Sequence, residues 1–113
     1  MLSSERLSEY RIVWLMLVFD LPVMTKRERK DAAKFRKNLL SNGFVMMQFS
    51  VYMRHCPSAE NAEVHIKRIK GFLPGDGKVS ILQITDKQYA NMLHFIAASY
   101  NAPKPGPQQL EIF

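Results

Sequence analysis

Residues 12–19, IVWLMLVF, are eight consecutive apolar side chains, and the run stops on Asp20, with Pro22 two positions later. The stretch is too short and too rich in β-branched and aromatic residues for a helix, so residues 10–19 are predicted as a strand. A strand apolar at every position has no face to give to water. It must sit inside a sheet and be covered on both sides. That requirement constrains the rest of the chain.

The next segment has a helix start. Thr25 and Glu28 stand at capping-box spacing, with Pro22 harmlessly upstream. Ala32, Phe35 and Leu39 fall on one face, flanked by Ala33 and Leu40, and Asn42-Gly43 supplies a stop. Residues 44–56, FVMMQFSVYMRHC, are β-prone but long for one strand. A sharp turn or bulge near Gln48-Phe49-Ser50 would make them two short antiparallel strands. Ser58 can cap a second helix, whose apolar stripe is Ala59, Ala62, Ile66, Ile69 and Leu73, ended by Gly71 and Pro74. PGDG at 74–77 is turn chemistry, and KVSILQI at 78–84 is a last core strand.

The order β-α-β-β-α-β predicts an α+β, ferredoxin-like sandwich. Two helices can cover only one sheet face. The apolar run of the first strand needs both covered, so a second subunit is expected on the other, with a symmetric homodimer the simplest solution.

The chain divides into a short lead-in at 1–9, holding at most a helical turn capped by Ser4; a ferredoxin-like domain at 10–96; and a terminal segment at 97–113. Late in the domain, TDKQYANM suits a short helical turn capped by Thr85 or Asp86, and LHFIA a short strand. NAPKPGPQ at 101–108 reads as an extended linker. QLEIF at 109–113 reads either as an extra strand adding to a sheet edge of its own or a partner subunit, or as a frayed terminus.

At 113 residues the chain buries roughly two-thirds of its unfolded surface, enough for one core. No apolar run approaches the length of about 20 needed to span a bilayer, and the opening MLSSERLSEY lacks the apolar block of a signal peptide. Cys56 is the only cysteine, which excludes an internal disulfide and fits a buried, inert thiol. The expected compartment is the cytoplasm.

The formal net charge is +6, which favours a polyanionic partner. Seven of the sixteen Lys and Arg residues lie on the first helix: Lys26, Arg27, Arg29, Lys30, Lys34, Arg36 and Lys37. At about 100° per residue, Lys26, Arg27, Lys30, Lys34 and Lys37 gather opposite Phe35 and Leu39, while Arg29 and Arg36 sit closer to the apolar edge. Only Glu28 and Asp31 offset them. Such a stripe can follow the phosphates of duplex DNA with little base specificity. A membrane is a poor partner, because the apolar side of this helix is needed for the core. Lys67, Arg68 and Lys70 form a smaller cluster that reads as solvated surface.

HExxH, Walker, GxGxxG and paired-cysteine motifs are absent. His55, His65 and His94 are scattered and are expected at surface or edge positions. Asp20 stands out by location, ending a central strand just before the amino end of a helix, where an anion is favoured.

VFDLP after an apolar strand, then a basic helix, then GFVMMQFSVYMR, and finally ITDKQYANM after the last core strand together resemble the small ferredoxin-like core protein of CRISPR adaptation, the partner of the spacer integrase. The likeness covers roughly residues 10–96. The long basic helix and GFVMMQFSVY look most like its type II branch. The resemblance implies a homodimer with sheets packed face to face and Asp20 close to its twin across the two-fold axis. It implies a subunit of the spacer acquisition complex that bridges integrase dimers and binds duplex DNA. It also implies an alternative, a Mg²⁺-dependent endonuclease acting on RNA or DNA, with Asp20 as metal ligand and catalytic residue. One Mg²⁺ ion at the dimer interface is the implied cofactor, and such a metal could activate water and bind a phosphodiester oxygen.

Ser50 and Tyr52 fit the motif. They either orient the site or shape the turn and pack, with Phe19 and Tyr52 assigned structural or interface roles. The chain departs from the family pattern in two places. Met46 stands where many members carry a basic residue, and Phe19 where tyrosine is frequent. Losing a cation near a phosphate site weakens the nuclease reading more than the scaffold reading. A single-stranded RNA-binding module shares the element order, but FSVYMRHC lacks its glycine-aromatic signature and that reading leaves Asp20 unexplained.

Overall fold

A computed structural model describes residues 12–100. The expectations for the lead-in at 1–9, the linker at 101–108 and the strand at 109–113 lie outside the described residues.

Four strands form one antiparallel sheet in the order β2-β3-β1-β4. In chain order the elements are β1 (Val13–Asp20), α1 (Lys26–Ser41), β2 (Val45–Gln48), β3 (Val51–Cys56), α2 (Ala59–Lys70), β4 (Lys78–Thr85) and the short α3 (Asp86–Ala90). This is the α+β connectivity expected of the sequence, with β1 between β3 and β4.

Side chains alternate across β1 as the pleat requires. Val13, Leu15, Leu17 and Phe19 are buried in one cluster with Phe35 and Leu39 of α1 and Ala62 and Ile69 of α2. Both helices therefore cover the same sheet face. Trp14, Met16, Val18 and Asp20 point to the other face, where exposure rises toward Asp20. In the register, this open face adds Met53 and Val51 of β3 and Leu82 and Ser80 of β4 opposite Met16 and Val18. It is mostly apolar, with Val18 and Leu82 39% and 46% exposed. Covering such a face is favourable at about 25 cal/mol per Å² of apolar surface removed from water.

The capping box is formed. Thr25 Oγ1 accepts from Glu28 N at 3.1 Å, and Glu28 Oε1 accepts from Thr25 N at 2.9 Å. The helix ends at Asn42, and Gly43 follows with φ +82°. A Cβ at Gly43 would overlap the Arg54 guanidinium, so glycine serves both the left-handed backbone and the close approach.

Residues 45–56 split as the sequence suggests, with Phe49 and Ser50 between β2 and β3. Ser50 has φ +65°, and the register shifts between Met46 and Gln48, leaving Met47 as the extra residue of a bulge. Two expectations fail. His65 is buried with Ala62 and Ile69, whereas Ala59 and Leu73 of the expected stripe are exposed. LHFIA forms no strand. Leu93, Phe95 and Ile96 are 79, 91 and 73% exposed, because within the described chain their backbone meets no strand to pair with.

Candidate functional site

Asp20 is the last residue of β1 and is exposed on the open face. Its register partner on β4 is Lys78. Directly opposite residues on antiparallel strands point to the same side with Cβ atoms about 5 Å apart, so the carboxylate and the ammonium share one end of that face. The turn before β4 fixes this meeting. Gly77 has φ +97°, and a Cβ there would come 2.5 Å from the Asp20 carbonyl oxygen. Among the described residues the Asp20 carboxylate accepts no hydrogen bond, and no three His, Cys, Asp or Glu side chains gather as a metal-ligand group.

The residues expected to support Asp20 take other places. Ser50 enters by its backbone, its carbonyl accepting from Phe19 N at 3.1 Å. Phe19 and Tyr52 lie on the helix side, not on the open face. The Phe19 ring meets Phe35 edge-on at 5.2 Å and Tyr52 at 5.6 Å between centroids. They are structural core residues, and an interface on the open sheet face does not reach them. The Tyr52 hydroxyl is buried with no hydrogen-bond partner among the described residues, and burial pushes its pKa up to about 12 against the pull of Arg36. A phenol so placed stays protonated and is no general base near neutral pH.

The seven basic residues of α1 divide into two groups. Lys26, Arg27, Lys30, Lys34 and Lys37 are exposed, and Lys26, Lys30, Lys34 and Lys37 follow one another at helical spacing along the outer face. None of the five makes a hydrogen bond or ion pair among the described residues. Arg29 is already committed, its Nη1 donating to the Val23 and Met24 carbonyls at 3.2 and 3.0 Å. It ties down the loop leaving Asp20. Arg36 is buried, its guanidinium 5.7 Å from the centroid of the Phe19 ring. Burial lowers its pKa, the neighbouring Tyr52 working the other way, but an arginine so shifted remains a cation. Arg36 thus serves the core under α1, and the surface stripe runs without it.

Elsewhere, Lys67, Arg68 and Lys70 occupy the last turn of α2, where cations suit the helix carboxyl end. Cys56 is fully buried, and burial pushes its thiol pKa up, with Arg54 opposing. That describes a packed, unreactive sulfur. No helix of the described residues is long and apolar enough to cross a membrane.

Sequence reasoning missed Lys78. The signal was a lone cation at the start of an otherwise uncharged strand, and its meaning depends on the β1–β4 register.

Comparison with known proteins supplies the family. The family model "CRISPR associated protein Cas2" matches residues 13–92. A protein of Flavobacterium psychrophilum named CRISPR-associated endoribonuclease Cas2 is 52% identical over 109 residues, covering 96% of this chain and 94% of that one. Proteins of the same name from Parvibaculum lavamentivorans and Ligilactobacillus salivarius are 46% identical over 101 residues and 54% identical over 82. These cover 89% and 73% of this chain and 100% and 80% of theirs. With its four-stranded antiparallel sheet, its basic first helix and Asp20 at the end of β1, the chain belongs to the Cas2 family of CRISPR-associated proteins.

Proposed function

We propose that the chain is the homodimeric scaffold subunit of a CRISPR spacer acquisition complex, of the type II branch. It binds duplex DNA along the outer face of α1 and bridges integrase subunits. The observation that carries this reading is the exposed row Lys26, Arg27, Lys30, Lys34 and Lys37, with no anion pairing it among the described residues. Five free cations on one rigid helix suit a phosphate backbone, which is recognised by charge and spacing rather than by base edges.

The apolar open face supports a second copy as its cover. Stable dimers bury such faces with opposite sheets in contact, as halves of one core. The opposed copy leaves both α1 helices outward, so one dimer offers two basic rows to DNA. The terminal segment, residues 97–113, is proposed to dock the integrase.

The test compares Asp20→Ala with a triple charge reversal, Lys30→Glu, Lys34→Glu and Lys37→Glu, in a spacer acquisition assay with DNA binding at graded salt. Acquisition should fail in the triple variant and survive in Asp20→Ala. The opposite pattern would overturn the scaffold reading.

The relatives' name, CRISPR-associated endoribonuclease, favours a second reading, a ribonuclease, which we take to be Mg²⁺-dependent and open to DNA as well. Asp20 would be the metal ligand, contributed by both copies, with Ser50 the further residue that the family motif offers. One carboxylate per chain is a sparse oxygen set for a hard cation. This reading requires cleavage that EDTA abolishes and Asp20→Asn removes. Finding none across Mg²⁺, Mn²⁺ and a range of pH would dispose of it.

A further inference from the structure

We propose that Lys78 is the resident counter-cation of Asp20, holding the charge position that a divalent metal would otherwise take. The inference deepens the scaffold reading by giving Asp20 a role that needs no metal.

The fold brings the two positions together by register, with no ion pair formed between their side chains among the described residues. Asp20 and Lys78 are directly opposite in the β1–β4 ladder, and both belong to the open face. Lys78 is the only charged residue of β4. Gly77 lies so close to the Asp20 carbonyl that any larger residue would push the two strand ends apart. No group of three His, Cys, Asp or Glu side chains gathers at Asp20 among the described residues. Its one ionic neighbour by register is therefore an ammonium. The flexible four-carbon stem of lysine lets that ammonium reach the carboxylate or swing to a phosphate oxygen beside it.

The electrostatics then oppose a metal. A unit charge brought to about 5 Å from the site would repel a dication enough to weaken its binding about tenfold, even at the dielectric constant of water. When the open faces of two copies meet, Asp20 from each would add like charge at the interface. Lys78 from each cancels it, so this end of the face can be covered without a bound cation or a shared proton.

The experiment is Mn²⁺ titration of the full-length protein, with free Mn²⁺ counted by electron paramagnetic resonance. The variants are Lys78→Met, Lys78→Gln, Lys78→Arg and the double variant Lys78→Met with Asp20→Asn. Because Lys78 is exposed, two neutral replacements guard against loss of fold, which circular dichroism would show. The neutral variants should bind Mn²⁺ about tenfold more tightly than wild type, while Lys78→Arg stays at the wild-type level and the double variant loses the gain. The proposal is overturned if neutral replacements leave Mn²⁺ affinity unchanged, or if the gain persists without Asp20. Failure of the scaffold reading would appear instead in acquisition with the charge-reversed α1 and would leave this titration unaffected.

Discussion

The Trp14 indole Nε1 donates to Asp86 Oδ1 at 2.8 Å while its ring stacks on Tyr89, centroids 3.8 Å apart and planes 10° from parallel. One side chain of β1 thus grips both ends of α3, a five-residue helix far too short to persist alone. Trp14 is also the only tryptophan, so its fluorescence reports this contact directly. Asp86→Ala should cost about 1 kcal/mol, the net worth of an exposed hydrogen bond. It should also move the emission maximum at temperatures where circular dichroism still shows the sheet intact. Coincident fluorescence and dichroism transitions at the wild-type midpoint would mean that α3 is held by other contacts.

Tyr52 gives a pH prediction with a definite sign. Its ordinary pKa is 10.0, and in the fold it rises to about 12, chiefly through burial. Below pH 10 both folded and unfolded chains keep the proton, so Tyr52 makes no pH-dependent contribution there. Between 10 and 12 the unfolded chain releases the proton while the folded chain retains it. Stability therefore falls as pH rises through that window, by up to roughly 2–3 kcal/mol. Tyr52→Phe should remove this part of the alkaline slope. It should cost little at pH 7, since the hydroxyl has no hydrogen-bond partner among the described residues. Urea midpoints at pH 7, 10 and 11.5 for both proteins check each half.

Gly77 and Gly75 form a matched pair for testing the turn before β4. A Cβ at Gly77 would meet the Asp20 carbonyl at 2.5 Å and the Leu21 backbone at 3.1 Å, on a backbone with φ +97°, whereas a Cβ at Gly75 meets nothing within 4 Å. Gly77→Ala should destabilise by about 2 kcal/mol or more, combining left-handed strain with a backbone clash. Gly75→Ala should stay within about 0.5 kcal/mol of wild type. Urea denaturation of the two variants measures the difference.

The contrast between what the sequence displays and what it hides follows from range. Val13–Asp20 and the Thr25–Glu28 capping box were legible because a strand's composition and a helix start are written in adjacent residues. The Gln48–Ser50 turn was legible for the same reason. The burial of Arg36 was not. Helical spacing placed it near the apolar edge, and the Phe19 ring of β1 and the charge-coupled Tyr52 of β3, both remote in sequence, lie beside it in the core. His65 was hidden in the same way. The wheel offered Ile66 and Ala59, while the rotation of α2 on the sheet buries Ala62, His65 and Ile69. Burial, with Arg54 and Arg68 nearby, holds the His65 pKa below its usual value. The Asp20–Lys78 pairing belongs to register, which no short window of sequence contains.

The division of the basic helix yields a prediction on DNA binding. The affinity of a protein for duplex DNA falls with salt in proportion to the number of phosphates it neutralises. Lys30, Lys34 and Lys37 are exposed and unpaired among the described residues, so replacing all three by Gln should reduce the log–log salt slope by about three units if each meets one phosphate. Arg36 is buried beside Phe19, so Arg36→Met should lower the melting temperature yet leave the slope unchanged. Arg29 holds the Val23 and Met24 carbonyls, so Arg29→Met should loosen the loop after Asp20 and likewise spare the slope. Equilibrium binding to one duplex at several salt concentrations, paired with thermal melts, separates the two groups. A slope reduced by Arg36→Met as much as by a surface lysine would place Arg36 on the DNA and refute the division.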